Sequence, residues 1–392
     1  MKTKSLMVVT ASVFVLMSSV NQQNYKAIGQ ASNEFGVDYL KEAKEGNYFI
    51  SPLSISTAMA MTYAGAKGST AEEFEKVMHF NNEAGDFHEL NGLYQRMLNE
   101  NLCEVQWNLA NRLWGYGPSE FEKDFLEMNN MYYNAPIEFG ASEKTINTWV
   151  EKQTQNKIKD LIPPGTITGD TRLILTNAVY FKGDWKYGFK KKDTKKKEFF
   201  APKKSVKVEM MFQKGGFGYA ETMDYQAIRL PYKGDKQSML VFLPKESIEQ
   251  VEKNLTNNEI KSLLRRSKAN VNVHFPKFKL EYKETLNKYL IEKGMGNSFG
   301  VGADFSGIMT AEPVWIDQVI HQSFIEVSEE GTEAAAATAV VMTTESISHS
   351  KPQNIEFNAN KPFLFFIMDD VSESILFMGK LETPAGLKNE KK

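Results

Sequence analysis

Apolar residues recur at helical spacing along much of the first 160 residues of the chain. The segment Tyr25–Ala43 has this pattern and is predicted to be an amphipathic helix. Ser51 supplies a cap and Pro52 a first-turn residue for a second helix, which runs to Gly65. Thr70-Ala71-Glu72-Glu73 has the form of a capping box and predicts the start of a third helix. Further helices are predicted at Asp86–Leu98, Pro118–Met128 and Ser142–Leu161.

Short runs rich in β-branched and aromatic residues dominate the rest of the chain and predict strands. The predicted strands are Glu104–Leu113, Tyr133–Phe139, Arg172–Phe181, Val206–Phe212, Gln237–Leu243, Asn270–Phe275, Lys277–Tyr282, Val319–Ser328, Asn354–Phe357, Pro362–Met368 and Ile375–Leu381. Helices therefore concentrate in the first 160 residues and strands in the remainder. This segregation predicts an α+β fold rather than an alternating parallel design.

One stretch, Glu329–Glu345, fits neither pattern. It contains no Pro and no aromatic residue, and four consecutive alanines occupy positions 334–337. Alanine favours helix, but the segment has no apolar stripe, and isolated helices this short are marginal in water. Small residues without Pro could also insert as a strand between two existing strands. The residues alone leave helix, latent strand and plain loop open.

The N-terminus has the organisation of a cleaved signal peptide over residues 1–20. Lys2 and Lys4 precede the apolar run Leu6–Met17, which is too short to span a membrane. We therefore expect a secreted, extracellular protein with one domain over residues 21–392. The chain has 42% hydrophobic and 24% charged residues, an ordinary globular composition, and we find no linker or internal repeat.

The cysteine count and one tripeptide add two expectations for a secreted chain. Cys103 is the only cysteine, so no internal disulfide can form, and the fold must be held by its core. Asn254-Leu255-Thr256 is the one glycosylation sequon, and Asn254 is therefore a candidate glycosylation site.

Motifs for enzyme chemistry are missing from the sequence. The chain has five histidines, no Gly-x-Ser-x-Gly elbow and no phosphate-binding glycine loop. His88-Glu89 lacks the second histidine of a zinc-protease helix, and a single cysteine excludes cysteine-rich metal sites. Glu329, Glu330 and Glu333 could form an acid/base set, but charged loop residues are usually only solvated. We expect no catalytic activity, no metal and no cofactor.

Several motifs in a fixed order resemble those of one family. The segment Glu330–Thr338 reads Glu-Gly-Thr-Glu-Ala-Ala-Ala-Ala-Thr and resembles the hinge of the reactive centre loop of inhibitory serpins. Further resemblances lie in Phe49–Ser54, in Asn177–Trp185, in His274–Phe278, in Gly302–Ile308, in Phe357–Phe363 and in Phe377–Lys380. The resemblance covers about residues 25 to 384. It implies a serpin fold with about eight or nine largely N-terminal helices, three β-sheets and an exposed reactive centre loop over about residues 329–353.

The resemblance also implies a mechanism of inhibition. A serine protease cuts the loop and forms an acyl-enzyme, and the hinge then enters the main sheet as a new central strand. The hinge residues are Glu330, Gly331, Thr332, Glu333, Ala334, Ala335, Ala336, Ala337 and Thr338. Small residues at these positions favour an inhibitor. The alternative is a non-inhibitory serpin that acts as a carrier, storage protein or chaperone. Such relatives usually carry a large, charged or Pro residue in the hinge, and the small residues here therefore favour the inhibitor.

The family pattern places the scissile bond after the fifteenth residue from Gly331, counted inclusively, which is Glu345-Ser346. The segment from Ser346 to the strand at Phe357 is a few residues longer than in many serpins, so Thr344, Ser346 and Ser348 remain alternatives. An acidic residue at this position suits a protease with a basic specificity pocket. A trypsin-like target fits less well, because Lys351 is the only basic residue of the loop.

Polar residues in apolar neighbourhoods complete the candidate site. Ser51, Pro52 and Ser54 match the family motif beneath the opening of the main sheet, and Trp185 matches the tryptophan where the loop first inserts. The same resemblance implies that Asn177 and His321 bridge the two strands that part to admit the loop, whereas the residue alone would make His321 a paired core histidine. Buried polar groups without partners cost about 1–3 kcal/mol each, so each of these side chains should be paired.

A run of lysines suggests a further partner. The segment Lys186–Lys207 holds ten lysines and two acids, a charge of +8 in a chain of net charge −2. A solvated surface would explain this run, but a sulfated polysaccharide such as heparin is the functional alternative. The expected polyanion-binding residues are Lys190, Lys191, Lys192, Lys195, Lys196 and Lys197. We otherwise expect a monomer whose main partner is a secreted serine protease, without a nucleic-acid or membrane partner.

Overall fold

A computed structural model describes residues 27–42, 44–80, 86–117, 121–169, 171–332 and 354–384. Within these residues the chain forms nine α-helices and two β-sheets. The helices are α1 (residues 27–40), α2 (Pro52–Tyr63), α3 (Gly68–Met78), α4 (Phe87–Asn101), α5 (Lys123–Tyr133), α6 (Glu143–Gln153), α7 (Ile248–Asn254), α8 (Asn257–Leu264) and α9 (Asn287–Lys293). Six of the nine precede residue 160, as the sequence pattern predicted.

The strands follow the expected α+β arrangement. They are β1 (Tyr48–Ile50), β2 (Gln106–Gly115), β3 (Glu138–Phe139), β4 (Leu173–Asp184), β5 (Lys195–Phe200), β6 (Ser205–Glu221), β7 (Tyr225–Pro231), β8 (Gln237–Pro244), β9 (Lys268–Pro276), β10 (Phe278–Thr285), β11 (Gln318–Val327), β12 (Gly331–Thr332), β13 (Ile355–Asn358), β14 (Phe363–Asp369) and β15 (Ser374–Leu381). The larger sheet has the order β1-β15-β14-β8-β7-β6-β9-β13, with β5 paired to β6. The smaller sheet has the order β10-β11-β12-β4-β2-β3, and β11 also pairs directly with β4.

The number of sheets differs from the three that we expected, because one long strand belongs to two of them. Strand β6 has 17 residues and was predicted only as Val206–Phe212. It pairs with β5 near its start, with β9 along its middle and with β7 at its end. Hydrogen bonding through β6 therefore joins the described strands of two expected sheets into one.

The smaller sheet is buried on both faces at its centre. Along β4, Leu175, Asn177 and Val179 point to one face, and the intervening residues point to the other, as the two-residue period of a strand requires. Ile174, Ala178 and Tyr180 pack in a cluster with residues of α6, whereas Leu175 and Val179 belong to the main core on the side of α2. Strands β4 and β11 thus lie between two helices at the centre of the fold.

Helix α2 lies fully buried beneath this sheet and confirms the predicted start signal. Every residue from Pro52 to Tyr63 is buried, Pro52 occupies the first turn, and the Ser51 side chain accepts a hydrogen bond from the Ser54 backbone N–H. Pro suits this position because the first-turn N–H groups have no partner within the helix. The predicted capping box at Thr70 is wrong, however. Helix α3 begins at Gly68, and the Thr70 hydroxyl accepts a hydrogen bond from Asp304 N–H instead.

Two predicted elements are longer than the structure has them. The helix predicted to reach Leu161 ends at Gln153, because Gln155 and Asn156 have left-handed φ angles of 52° and 61°. The predicted strand Tyr133–Phe139 is reduced to Glu138–Phe139, since α5 continues to Tyr133. In both cases the predicted element was extended to include an apolar residue that is buried in the core. In the structure that residue lies in a loop or at the end of a helix and not in the predicted element.

Candidate functional site

The first residues of the predicted loop hinge already lie in the smaller sheet. Gly331 and Thr332 form β12, in which Gly331 pairs with Asp184 of β4 and Thr332 pairs with both Gly183 of β4 and Val327 of β11. Thr332 is fully buried, and its hydroxyl oxygen lies 2.6 Å from that of Tyr232. The hinge therefore begins as a two-residue strand between the two central strands.

Close backbone approach explains the glycine at the start of this strand. A Cβ atom added to Gly331 would collide with the Gly183 carbonyl oxygen and would lie 2.6 Å from the Asp184 Cα atom. Only glycine allows the two backbones to approach in this way. The expected exposed loop thus needs a correction at its start, because Glu329, Gly331 and Thr332 are buried. The remaining hinge residues Glu333–Thr338 and the predicted reactive bond Glu345-Ser346 lie outside the described residues.

Below the hinge, the two central strands are closed against each other. Strands β4 and β11 pair in parallel, from Ile174 opposite Gln318 to Tyr180 opposite Phe324. A longer inserted strand would have to separate this ladder and would then pair with both strands. In the described state, β12 therefore separates β4 from β11 over two residues, and β4 and β11 pair directly with each other below them.

A hydrogen-bond network crosses the closed part of the sheet. Asn177 of β4 donates from its amide nitrogen to the Ser54 hydroxyl at 2.6 Å, and its amide oxygen bonds to Nδ1 of His321 on β11. The other ring nitrogen, Nε2 of His321, accepts from the Ser51 backbone N–H at 3.3 Å. Ser51 donates in turn to the Leu376 carbonyl oxygen at 2.6 Å. The structure thus brings together Asn177, His321 and both predicted serines.

The protonation state of His321 follows from its burial. The imidazole has no exposed surface, and desolvation lowers its pKa to about 3. The neutral ring donates from Nδ1 and accepts at Nε2, which matches its two partners. Sequence reasoning missed one member of the network, Asn111 of β2, whose amide oxygen accepts from Asn177 at 2.7 Å.

A second cluster holds the chain just before the hinge and lies apart from the first. The indole N–H of Trp185 donates to the Ser328 carbonyl oxygen at 3.0 Å, and the ring stacks on Tyr232 with centroids 4.7 Å apart. The backbone N–H groups of Trp185 and Phe189 donate to the carbonyl oxygens of Glu330 and Glu329. Trp185 therefore lies where β12 joins β4.

Ion pairs fix the two glutamates that precede the hinge glycine. The buried Glu329 carboxylate pairs with Lys277 Nζ at 2.9 Å and accepts from the Thr194 hydroxyl at 2.8 Å. Burial raises its pKa, but the hydrogen bonds from Lys277 and Thr194 outweigh burial, and the net pKa is lowered. Glu330 pairs with Lys191 Nζ at 2.7 Å, and this contact raises the pKa of Lys191. Sequence reasoning gave these glutamates no buried partners.

The lysine run lies next to this cluster. All six candidate residues, Lys190, Lys191, Lys192, Lys195, Lys196 and Lys197, are exposed. The last three belong to β5, which among the described strands pairs only with β6, so charges also protect an edge strand there. Side chains alternate along this strand, so Lys196 points away from Lys195 and Lys197. The six lysines therefore do not share one face.

The remaining points concern the glycosylation site, metal binding and membrane-spanning helices. Asn254 is exposed at the end of α7, and the following Thr256 caps α8 in a capping box with Glu259. The described residues contain no group of three or more histidine, cysteine and acidic side chains placed to hold a metal ion. No helix in the described ranges has the length and hydropathy needed to cross a membrane.

Comparisons with known proteins agree with this architecture. The family model described as Serpin (serine protease inhibitor) matches residues 30–384. The chain is 38% identical to human Serpin B4, over 94% of this chain and 100% of that protein. It is also 38% identical to the leukocyte elastase inhibitor of Xenopus tropicalis, over 91% of this chain and 99% of the relative.

A solved structure supports the same assignment. The crystal structure of Serpin48, described as a highly specific serpin of the insect Tenebrio molitor, is 31% identical and covers 92% of this chain and 98% of its own. Its TM-score of 0.79 extends the similarity to the whole α+β fold. Sequence family, relatives and fold therefore agree, and the chain belongs to the serpin family.

Proposed function

We propose that the protein is a suicide-substrate inhibitor of a secreted serine protease. The observation that carries this proposal is the position of Gly331 and Thr332, which already pair between β4 and β11. The residues that follow, Ala334–Ala337, are small enough to continue along the same path. The relative named leukocyte elastase inhibitor supports protease inhibition as the activity.

The chemistry begins at the predicted reactive bond. The serine hydroxyl of the protease attacks the Glu345 carbonyl carbon, the bond to the Ser346 nitrogen breaks, and Ser346 leaves with a new amino group. The protease then remains joined to Glu345 through an ester. The freed hinge segment is no longer tied to the chain beyond Ser346, so it can extend β12 into the sheet.

Insertion supplies the energy that traps the ester. A strand of a dozen residues forms hydrogen bonds to both β4 and β11, at a net gain of about 0.5–1.5 kcal/mol each, or on the order of 10–20 kcal/mol altogether. This matches or exceeds the typical stability of a whole domain, about 5–15 kcal/mol. The energy is sufficient to distort the attached protease and to make trapping effectively irreversible. The uncut protein is then metastable and is held by kinetics.

A thermal melt distinguishes the inhibitor from a carrier, storage or chaperone serpin. We expect that cutting the loop once with a non-target protease raises the unfolding midpoint by tens of degrees, because the freed strand inserts. The uncut protein serves as the control, and a gel confirms the single cut. Equal midpoints before and after the cut would contradict insertion and favour the non-inhibitory alternative.

We also propose that heparin-like polyanions bind the lysine run and accelerate inhibition. Five of the six exposed lysines have no carboxylate partner in the described part of the chain, whereas Lys191 pairs with Glu330. Binding should weaken steeply with salt, since it would rest on exposed charges and counterion release. The contact between Lys191 and Glu330 would link bound polyanion to the hinge.

Heparin-column elution and the heparin dependence of the inhibition rate test this proposal. The Lys190→Ala, Lys192→Ala pair probes the loop, and Lys195→Ala, Lys196→Ala, Lys197→Ala probes the strand. Lys191→Ala is measured separately because it also breaks the Glu330 pair. Arg96→Ala on α4 is the control and should leave elution unchanged. Unchanged elution in all lysine variants, or no effect of heparin on the wild-type rate, would leave the run as a solvated surface.

Secretion and glycosylation are proposed on sequence grounds. Residues 1–20 should be removed on export, and the exposed Asn254 should carry an N-linked glycan. N-terminal sequencing of the protein recovered from the medium tests the first expectation. A mobility shift on deglycosylation that is absent in Asn254→Gln tests the second.

A further inference from the structure

A small cavity lies beside the edge strand β5, at the far side of the lysine run from the hinge. Its volume is about 370 Å³, at the lower end of the range of small-molecule sites. The walls are formed by β5, by the start of β6, and by the end of β13 with the chain just after it. The cavity therefore lies where the edge of the larger sheet meets the first strand that follows the reactive loop.

Backbone hydrogen bonds hold these walls together. The backbone N–H of Phe200 on β5 donates to the Asn360 carbonyl oxygen at 2.7 Å. The backbone N–H of Ala359 donates to the His274 carbonyl oxygen at 3.0 Å, and β13 pairs with β9 up to Asn358. The shape of the cavity is thus fixed by the backbone before any ligand binds.

Two exposed lysines flank the cavity. Side chains alternate along β5 and Phe199 is fully buried, so Lys196, Glu198 and Phe200 point outward together. Lys207 lies opposite Glu198 in the β5–β6 ladder and is also exposed. Neither Lys196 nor Lys207 has a carboxylate partner within ion-pair distance in the described part of the chain. Both ammonium groups are therefore available to an anion.

The third lysine of the cavity is already used by the protein. Lys197 lies on the opposite side of β5, and its Nζ lies 3.2 Å from Nδ1 of His274. Burial and the nearby Lys197 charge both lower the pKa of His274, so its neutral ring accepts from the ammonium group. The anion-binding groups are therefore Lys196 and Lys207 rather than three equivalent lysines.

The other walls suit a sugar ring. The Phe200 side chain is 51% exposed and offers an aromatic face, against which the C–H groups on one face of a sugar can pack. Asn358 and Asn360 line the cavity with amides that both donate to and accept from hydroxyl groups. Ammonium groups supply strong, charge-assisted hydrogen bonds to sulfate oxygens.

We propose that this cavity binds one sulfated sugar unit of a polyanion. The sulfates lie at Lys196 and Lys207, the ring packs on Phe200, and the hydroxyl groups bond to Asn358 and Asn360. Glu198, the one acid of the lining, accepts from a sugar hydroxyl and disfavours a carboxylate at its position. The inference deepens the proposed polyanion function and rests on it. It assigns to that function Lys207, Phe200 and two asparagines, which the lysine run alone does not indicate.

Binding is measured by calorimetry on the full-length protein with a fully sulfated heparin tetrasaccharide. The unsulfated tetrasaccharide with the same backbone should bind at least tenfold more weakly. We expect Lys196→Gln, Lys207→Gln to weaken the sulfated probe at least tenfold. The matched control is Lys203→Gln, Lys204→Gln, which removes two exposed lysines of the β5–β6 turn outside the cavity and should stay within twofold of wild type. An equal loss in both pairs, or no binding to wild type, would overturn the site.

Two variants of the uncharged walls test whether the ligand is a sugar rather than a bare anion. Phe200→Leu keeps apolar bulk but loses the aromatic face, so it should weaken the sulfated tetrasaccharide at least fivefold and leave inorganic sulfate unchanged. Asn358→Asp puts a second carboxylate in the cavity and should weaken both probes. Thermal melts confirm that each variant is folded. Unchanged tetrasaccharide affinity in Phe200→Leu would overturn the assignment of a sugar unit.

The cavity and the proposed heparin effect can fail separately. Tetrasaccharide binding that depends on Lys196 and Lys207, without any effect of heparin on the inhibition rate, would refute the proposed acceleration and support the cavity. Heparin-column elution that depends on Lys190 and Lys192 but is unchanged in Lys196→Gln, Lys207→Gln would overturn the cavity and leave polyanion binding by the lysine run intact.

Discussion

Thr332→Arg puts a charge at a position that the sheet has already enclosed. The Thr332 side chain has no exposed surface, its hydroxyl bonds to Tyr232 at 2.6 Å, and its backbone lies between β4 and β11. The substitution leaves the Tyr232 hydroxyl without this partner, at a cost of about 1–3 kcal/mol. It also buries a guanidinium without a partner, which is more costly still.

The variant avoids these costs when residue 332 stays outside the sheet, so that insertion has to bury the guanidinium and becomes slower. A barrier raised by only about 3 kcal/mol slows insertion roughly 150-fold, since each factor of ten in rate corresponds to about 1.36 kcal/mol. Hydrolysis of the acyl-enzyme is not slowed, because it takes place at Glu345. The variant should therefore be cleaved as an ordinary substrate, and the number of molecules consumed per trapped protease should increase from near one to many.

The assay measures this number by titrating a fixed amount of protease and counting covalent complex and cleaved inhibitor on a denaturing gel. Thr332→Ser keeps a hydroxyl and should behave as wild type. Thr332→Val keeps the shape but loses the bond to Tyr232, and it should fall between wild type and the Arg variant. If Thr332→Arg forms covalent complex in full yield, the hinge assignment and the reasoning from burial are both wrong.

Three further predictions concern specificity, the hinge ion pair and pH. Glu345→Arg should redirect inhibition to trypsin-like proteases and abolish it against the native target; unchanged specificity in the panel assay would refute this register. Lys191→Glu should change the inhibition rate less than about fivefold, since exposed pairs contribute about 0–1 kcal/mol, and Glu330→Lys should restore it in the double variant. Because the folded pKa of His321 is depressed to about 3 from its usual value near 6.5, the neutral ring contributes stability that is complete above pH 6.5 and is lost as pH falls toward 3. In denaturant unfolding experiments, the free energy of unfolding of His321→Gln should therefore change less with pH in this range than that of the wild type. An unchanged pH dependence would exclude His321 as its source.

Local signals predicted those elements in which the sequence pattern and the tertiary role agree. Ser51 and Pro52 both mark the start of α2 and belong to the packed interior, so the prediction of that helix was confirmed. The capping box at Thr70 was wrong because its side chains serve other elements. Thr70 bonds to Asp304, and Glu73 accepts from the backbone N–H groups of Asn297 and Ser298. No spacing within four residues can reveal contacts to a segment more than 200 residues away.

The candidate site shows the same limit. The resemblance identified Asn177 and His321, but Asn111 was missed because an asparagine in a half-buried strand looks like many others. The lysine run was interpreted as a surface for partners, whereas Lys191 also pairs with Glu330 beside the hinge. The small residues after Gly331 indicated that the hinge could insert. They did not indicate that two residues are already inserted, because that depends on the fit of Gly331 against Gly183 and Asp184.

Covalent trapping of a protease is the most direct test of the inhibitory function. The purified protein is incubated with a panel of secreted serine proteases that includes enzymes with basic specificity pockets, and the products are separated on a denaturing gel and sequenced. We expect a complex that resists denaturant with at least one protease, together with a released C-terminal peptide that begins at Ser346. Cleavage without any stable complex across the panel would contradict inhibition by insertion, and a released peptide that begins elsewhere would contradict the bond assigned to Glu345.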